Sequence, residues 1–185
     1  MEENKMTEIM DLIKSRRSIR NYLDKKIPEP LLKEILEAVR WSPSWANTQV
    51  WELILVQDAV KKQQLFETLA SNNPAGKAMI QAPVIFALCA KLKSAGYYKG
   101  QAATKLGDWF MFDLGIATQS LCLSAYAIGL GTVVVGLFDQ NKAGEILGVA
   151  EGYELVALIP MGYPAKDASA PKRRELEEFV HYDSF

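Results

Sequence analysis

The sequence predicts one domain of the α+β class, and three observations carry the prediction. The chain has 185 residues, 49% of them apolar and 23% charged, enough to build a substantial core in a single unit. Apolar residues recur at helical spacing in several segments, and short continuous apolar runs bounded by Gly, Pro and Asn fall between those segments. One stretch, Trp109 to Leu130, is apolar on nearly every side. No repeat, low-complexity tract or linker divides the chain, so residues 1–185 read as one domain.

The first helix carries the apolar stripe Ile9, Met10, Leu12 and Ile13 and leads into Arg16-Arg17-Ser18-Ile19-Arg20. Tyr22 to Pro28 connects it to a second helix that Pro30 opens, with Leu31, Leu32, Ile35, Leu36 and Val39 on one face and a stop near Ser42-Pro43. Trp51 to Gln57 is strand material. A helix over about Asp58 to Ala70 follows, burying Leu65, Phe66 and Leu69, until Asn72-Asn73-Pro74 breaks it. Val84 to Ala90 is a second strand, continuous in apolar residues and so covered on both faces. Lys91 to Lys105 loses periodicity around Gly96, Tyr97, Tyr98 and Gly100, and reads as a loop or short-helix insertion and a candidate lid.

The long buried helix spans about Lys105 to Ile128, and Gly129 to Gly131 ends it. Thr132 to Gly136 is a third strand, Gln140 to Leu147 a helix, and Leu155 to Met161 a fourth strand ending in Gly162-Tyr163-Pro164. The tail holds Lys172-Arg173-Arg174 and then Phe179-Val180-His181-Tyr182. This last run has strand character and suits pairing with another subunit.

A formal net charge of −1 gives no whole-molecule attraction to nucleic acid or to an anionic membrane. Cys89 and Cys122 lie in apolar runs and read as buried reduced thiols, and the N-terminus lacks the apolar core of a signal peptide; both point to the cytoplasm. With His181 as the single histidine, no metal site is expected. Trp109 to Leu130 is long enough to span a bilayer. Asp113, Thr118, Gln119, Ser120 and Ser124 are nevertheless expensive in lipid, and no basic flank is present. The segment is therefore expected to be a soluble helix covered all round, by its own domain and by a partner chain.

Guanidinium forks match phosphate oxygens bidentately and stay charged at any working pH, so Arg16, Arg17 and Arg20 with the Ser18 hydroxyl suit a phosphomonoester. Cations in the last turn of a helix also gain about 0.3 to 1 kcal/mol each from its dipole, and the cluster taken alone reads as a solvated helix end. Ser42 to Trp51 is rich in amides, hydroxyls and indoles: an ordinary Pro/Asn turn with core tryptophans, or a platform for a flat heteroaromatic ring. Gly129 to Gly136 matches neither a P-loop nor a dinucleotide fingerprint, because the helix precedes it.

Taken in order, the arginine cluster, the Pro-Ser-x-x-Asn-x-Gln turn, the Gly-Leu-Gly-Thr strand and the Gly-Tyr-Pro then Lys-Arg-Arg tail resemble the FMN-dependent nitroreductase family over nearly the whole chain. The resemblance implies an α+β sandwich with a central mixed sheet flanked by helices. It also implies a homodimer with a swapped C-terminal strand and FMN at the subunit interface. In that reading Arg16 and Arg17 hold the phosphate and ribityl end and Ser18 adds a hydroxyl. Arg20 lies toward the pyrimidine edge, where positive charge stabilises the anion formed on reduction. A second phosphate contact falls at Arg173, with Lys172 and Arg174 as the neighbouring registers. Pro43, Ser44, Trp45 and Asn47, with Gln49 beside them, match the turn that the partner subunit contributes; Val50 stands where proline usually follows the glutamine. Val134, Val135 and Gly136 match the strand beside the flavin, and the Gly136 N–H would donate to flavin N5.

No side chain is then required as acid, base or nucleophile. The implied activity is ping-pong transfer of hydride from NADH or NADPH, through flavin N5, to a nitroaromatic, quinone or related small acceptor, with residues 91–105 setting acceptor preference. Reductive dehalogenation, flavin reduction or breakdown, dehydrogenation of peptide-bound rings and a non-catalytic FMN store stay open on the same scaffold. A basic-patch nucleic-acid binder is disfavoured by the net charge.

Overall fold

The computed structural model describes residues 2–185. In chain order the elements are α1 (Glu2–Ser15), α2 (Glu29–Arg40), β1 (Trp51–Val56), α3 (Ala59–Phe66), α4 (Gly76–Gln81) and β2 (Val84–Lys91). They continue with the short strands β3 (Tyr97–Tyr98) and β4 (Gln101–Ala102), then α5 (Phe110–Ala127), β5 (Gly131–Thr132), α6 (Gln140–Leu147) and β6 (Tyr153–Gly162).

The apolar run of β2 makes it an inner strand, because alternate side chains leave a strand on opposite faces and here both sets are apolar. Val84, Phe86, Leu88 and Ala90 enter a core shared with Ile35 and Val39 of α2 and Leu114 and Leu121 of α5. Ile85, Ala87 and Cys89 enter a second core, with Leu65 of α3, Met79 of α4 and Ala143 of α6. Helices thus cover both faces of one sheet, as expected for a sandwich.

The sheet order is β1-β2-β6-β5, and every pair is antiparallel, which corrects the expected mixed sheet. The reason lies in the connections. Val56 pairs with Ile85, so the chain returns through α3 and α4 to the end of the sheet it left; Lys91 pairs with Tyr153, and the longer excursion to β6 does the same. The parallel contact among the described residues is the isolated bridge between Ser18 and Thr132.

Local chemistry sets the element ends. Asp58 and Asp139 cap α3 and α6 by accepting from Lys61 N–H at 2.8 Å and Lys142 N–H at 3.0 Å, and Gly148 ends α6 at φ 68°. Helix α3 stops at Phe66, short of Ala70. The buried Thr68 hydroxyl donates back to Leu65 O, and Leu69 is drawn into a bridge with Phe138, leaving Phe66 exposed. Helix α5 starts at Phe110 and not at Lys105, because Gly107 turns the chain at φ 71° and the Asp108 carboxylate accepts the Phe110 N–H. The third strand is shorter than Thr132 to Gly136: β5 covers Gly131–Thr132, after which Val135 bridges Leu158 singly. Residues 179–182 form no strand in this chain. A strand needs a ladder partner, and Phe179 and Tyr182 here are exposed beyond a short turn at Leu176–Glu178.

Cys89 and Cys122 are buried free thiols, and burial pushes Cys89 up to about 11. Among the described residues no helix is long and apolar enough to cross a membrane.

Gly131 is sterically required where the arginine segment meets the sheet. A Cβ there would lie 2.5 Å from Ile19 Cγ1 and 2.7 Å from Ile19 Cβ, close to backbone that cannot swing away. Gly131→Ala should cost about 1 to 3 kcal/mol. A thermal melt would read this as a fall of roughly 2 to 4 °C per kcal/mol.

Candidate functional site

The arginine segment is clamped to the edge of the sheet. Arg16 N–H closes the last turn of α1 onto Leu12 O, and the chain then runs alongside β5, with Ile19 N–H donating to Thr132 O at 2.8 Å. Tyr22 anchors the far end. Its hydroxyl lies 2.8 Å from both Ile19 O and Pro160 O, and burial, with a smaller contribution from Cys122, holds the phenol protonated well above its usual range. After β6, Ala165 N–H donates to Asn21 O, which folds the following residues back over the cluster.

The result is a cavity of about 520 Å³ lined by Arg16, Arg17, Ser18 and Arg20 from one end of the chain and by Asp167, Ser169 and Arg173 from the other. Of the three tail registers, Arg173 lines this cavity, whereas Arg174 turns to Glu178 and Lys172 is not among the lining residues. Arg17 does part of the helix-end work: its Nη1 donates to Lys14 O at 2.5 Å and Arg16 O at 2.8 Å. None of the lining guanidiniums forms an ion pair with a protein carboxylate among the described residues. Four guanidiniums face one carboxylate, Asp167, across the cavity, so the site keeps an excess of positive charge and directed N–H donors, the chemistry that a phosphate dianion requires.

The Ser18–Thr132 bridge joins this cavity to β5, and Val134, Val135 and Gly136 follow directly in the segment after that strand. Val135 turns inward and is buried; Val134 and Gly136 are exposed. Gly136 lies four residues beyond Thr132. A Cβ at Gly136 would meet nothing within 4 Å, so the backbone there is open to a flat ring, while its carbonyl accepts from Gln140 Nε2. An arginine-lined cavity at one end and an open glycine backbone at the other fit an elongated cofactor with a phosphate tail and a planar head, as FMN has.

Pro43, Ser44 and Trp45 are not in that cavity. They line a separate apolar cleft of about 250 Å³ with Trp109, Phe112, Asp113 and Ile116, and Asn47 lies exposed on the same turn. The turn is tight: Asn47 N–H donates to Ser44 O, Gln49 N–H to Ser44 Oγ and Gln49 Nε2 to Asn47 Oδ1. The Trp45 and Trp109 rings pack with centroids 5.1 Å apart. Burial raises the Asp113 carboxyl above its ordinary range, the Trp45 N–H opposes this, and Asp108 adds to it.

The segment after β2 is a pinned hairpin and contains no short helix. Lys93 N–H donates to Asp108 Oδ2, Ala103 N–H to Gly96 O, Trp109 N–H to Ala95 O and Trp109 Nε1 to Thr104 Oγ1. Gly96, at φ 78°, is where a Cβ would run into the Trp109 ring. Both ends of the candidate lid are thereby tied to the start of α5.

Asp167, Ser169, Trp109 and Phe112 line these cavities without having been singled out in the sequence. They belong to no local motif, and long-range folding brings them in. Asp113 did carry a signal, as the charge inside an apolar helix, although nothing local named its partner.

The model of the nitroreductase family matches residues 13–163 of the chain. A Thermus thermophilus protein named NADH dehydrogenase is 32% identical, covering 89% of this chain and 91% of its own. A Bacillus subtilis protein named FMN reductase [NAD(P)H] is 31% identical, covering 96% of this chain and 74% of its own. The solved structure of an FMN-dependent nitroreductase from Clostridium difficile superimposes with a TM-score of 0.79, at 24% identity, over 95% of this chain and 99% of its own; at that identity the likeness concerns the fold alone. With a family model spanning most of its length and the sandwich of sheet and helices described here, the chain belongs to the nitroreductase family of oxidoreductases.

Proposed function

We propose that the chain is an FMN-dependent NAD(P)H oxidoreductase that acts as a homodimer and reduces a nitroaromatic, quinone or related small acceptor. The observation that carries this reading is the meeting of Arg16, Arg17, Ser18 and Arg20 with Arg173 in one cavity, continuous through the Ser18–Thr132 bridge with the open backbone at Gly136. The names of the Bacillus subtilis and Thermus thermophilus relatives support a nicotinamide donor.

In this reading Arg16, Arg17 and Arg173 hold the phosphate, and Ser18 adds a hydroxyl to it. Arg20 sets positive charge toward the pyrimidine edge, and Gly136 offers a backbone N–H with no side chain in the way. The bound flavin supplies the hydride and electron transfer, and the protein's work is binding, orientation and exclusion of water. Ser44, Trp45 and Asn47 come from the second subunit, which accounts for their distance from the arginine cavity within one chain.

Two exposed apolar faces support the second subunit. Ile9, Met10 and Ile13 of α1 and Met111 and Phe112 of α5 are exposed, and the α5 face continues through Gly115, Ile116, Gln119 and Leu123. The apolar tail residues Phe179, Val180 and Tyr182 are open to pair with that subunit.

Steady-state oxidation of NADH and of NADPH, with menadione, a nitroaromatic and free flavin as acceptors, tests the activity. Turnover above the rate for the same concentration of free FMN is expected. A rate no higher than free FMN with every acceptor would leave a flavin store and remove the enzyme.

A further inference from the structure

One buried carboxylate takes no part in binding phosphate. Asp113 lies in the first turn of α5, 1% exposed, in a cleft whose other walls are Pro43, Trp45, Trp109, Phe112 and Ile116. A carboxylate in such surroundings is costly unless it is well partnered. Its partner among the described residues is one backbone group: both oxygens lie 3.1 Å from the Trp45 N–H.

That N–H opens a turn built on left-handed backbone. Ala46, Asn47 and Gln49 have φ of 43°, 56° and 48°, so three residues other than glycine sit in the left-handed region. Conformations of this kind cost on the order of 1 kcal/mol or more each and persist where surrounding structure over-determines them. The bonds from Asn47 and Gln49 to Ser44, from Thr48 N–H to Trp45 O and from Gln49 to Asn47 all lie within the turn. The Thr48 hydroxyl is buried with no partner among the described residues, so the turn does not satisfy itself. Two polar ties fasten this segment to α5: the Ser42 hydroxyl donates to Ser120 Oγ at 2.8 Å where the chain enters the turn, and Asp113 accepts from Trp45 within it, beside the packing of Trp45 on Trp109.

We propose that Asp113 is a positioning residue: by holding the Trp45 N–H it fixes the left-handed turn through which Ser44, Trp45 and Asn47 meet the flavin of the neighbouring subunit. The proposal rests on the reading of residues 43–47 as the second subunit's part of the cofactor site. Asp113 itself touches neither cofactor nor substrate. Its carboxylate takes the place of a solvent partner for the amide that precedes the left-handed residues, and its removal leaves that amide without its acceptor.

The test compares full-length wild type, Asp113→Ala and Asp113→Asn. Asparagine keeps the shape and one acceptor oxygen, so it guards against loss of folding and serves as the conservative rescue. Amide hydrogen exchange at Trp45 to Gln49 should speed by about tenfold or more in the alanine variant, as loss of a hydrogen bond to a charged group implies, with the β2 amides unchanged. The asparagine variant should fall between. FMN affinity and the visible circular dichroism of the bound flavin should weaken in the same order.

Unchanged exchange at these amides in Asp113→Ala overturns the tie. Faster exchange with wild-type FMN affinity and flavin dichroism overturns the positioning role, because the turn would then be held for something other than the cofactor. A wild-type protein that takes up no FMN overturns the functional reading and this proposal together. That outcome is told apart from failure of the proposal alone because it shows in the wild type, before any variant is made.

Discussion

Replacing Arg16 or Arg173 with alanine should each weaken FMN binding by roughly 1.5 to 3 kcal/mol, about ten- to hundredfold in dissociation constant, if each guanidinium makes a charge-assisted bond to the phosphate. The two residues come from opposite ends of the chain and share one cavity, so an equal direction of effect at both positions is a demanding outcome. Riboflavin provides the control. It lacks the phosphate, and its weaker binding should be nearly indifferent to either change. Arg174→Ala supplies a second control, since that side chain is turned to Glu178. Fluorescence titration of apoprotein with FMN and with riboflavin measures all of these. Wild-type FMN affinity in both Arg16→Ala and Arg173→Ala would mean that the phosphate lies elsewhere.

Gly115→Glu should separate the subunits while leaving the fold of the single chain intact. Gly115 is exposed in the middle of α5, and a Cβ added there would meet nothing within 4 Å. A glycine in a helix interior is less favourable than alanine by roughly 0.5 to 1 kcal/mol, and close approach of another surface is the physical reason to have one there. Phe112, 60% exposed, and Met111, 58% exposed, flank it on the same face. A carboxylate trapped in that contact without a partner costs about 3 to 5 kcal/mol, a hundredfold or more in dimer affinity. Light scattering at micromolar concentration should then report a monomer, circular dichroism an unchanged helix content, and the flavin should be lost with the partner. A variant that stays dimeric, or a monomer that keeps FMN, would contradict a site shared between subunits.

The parts of this fold that were legible in the sequence are those whose cause is local. Helix α6 is framed by a capping aspartate and a left-handed glycine, and its bounds follow from those residues. The apolar run of β2 announces a strand covered on both sides, whichever neighbours it takes. Pairing direction is not local: it depends on which end of the sheet each connection re-enters, and a family likeness was no substitute for the register of β1, β2 and β6. Helix α4 is too short, at six residues, for periodicity to register. The early end of α3 follows from Leu69 pairing with Phe138, a contact that no window of sequence contains.

The candidate site divides along the same line. The arginine cluster is visible as composition, but alone it is indistinguishable from a helix end, and Arg17 does cap the carbonyl of Lys14. Its meeting with Arg173 depends on the fold, through the backbone bond from Ala165 to Asn21. Asp113 is conspicuous in the sequence as a charge in an apolar helix, whereas the Trp45 amide that explains it lies far away along the chain. The hairpin after β2 was hidden because its order comes from Asp108, Thr104 and Trp109 acting across it and not from any period of its own.

FMN-dependent oxidation of a nicotinamide nucleotide is tested by one anaerobic absorbance titration of the purified protein equilibrated with FMN. Oxidised flavin should be bound in an amount equal to the chain concentration, bleached on addition of NADH or NADPH and restored by a quinone or nitroaromatic. Protein that is colourless and stays so with added FMN, or bound flavin that neither nicotinamide nucleotide bleaches, would contradict that activity.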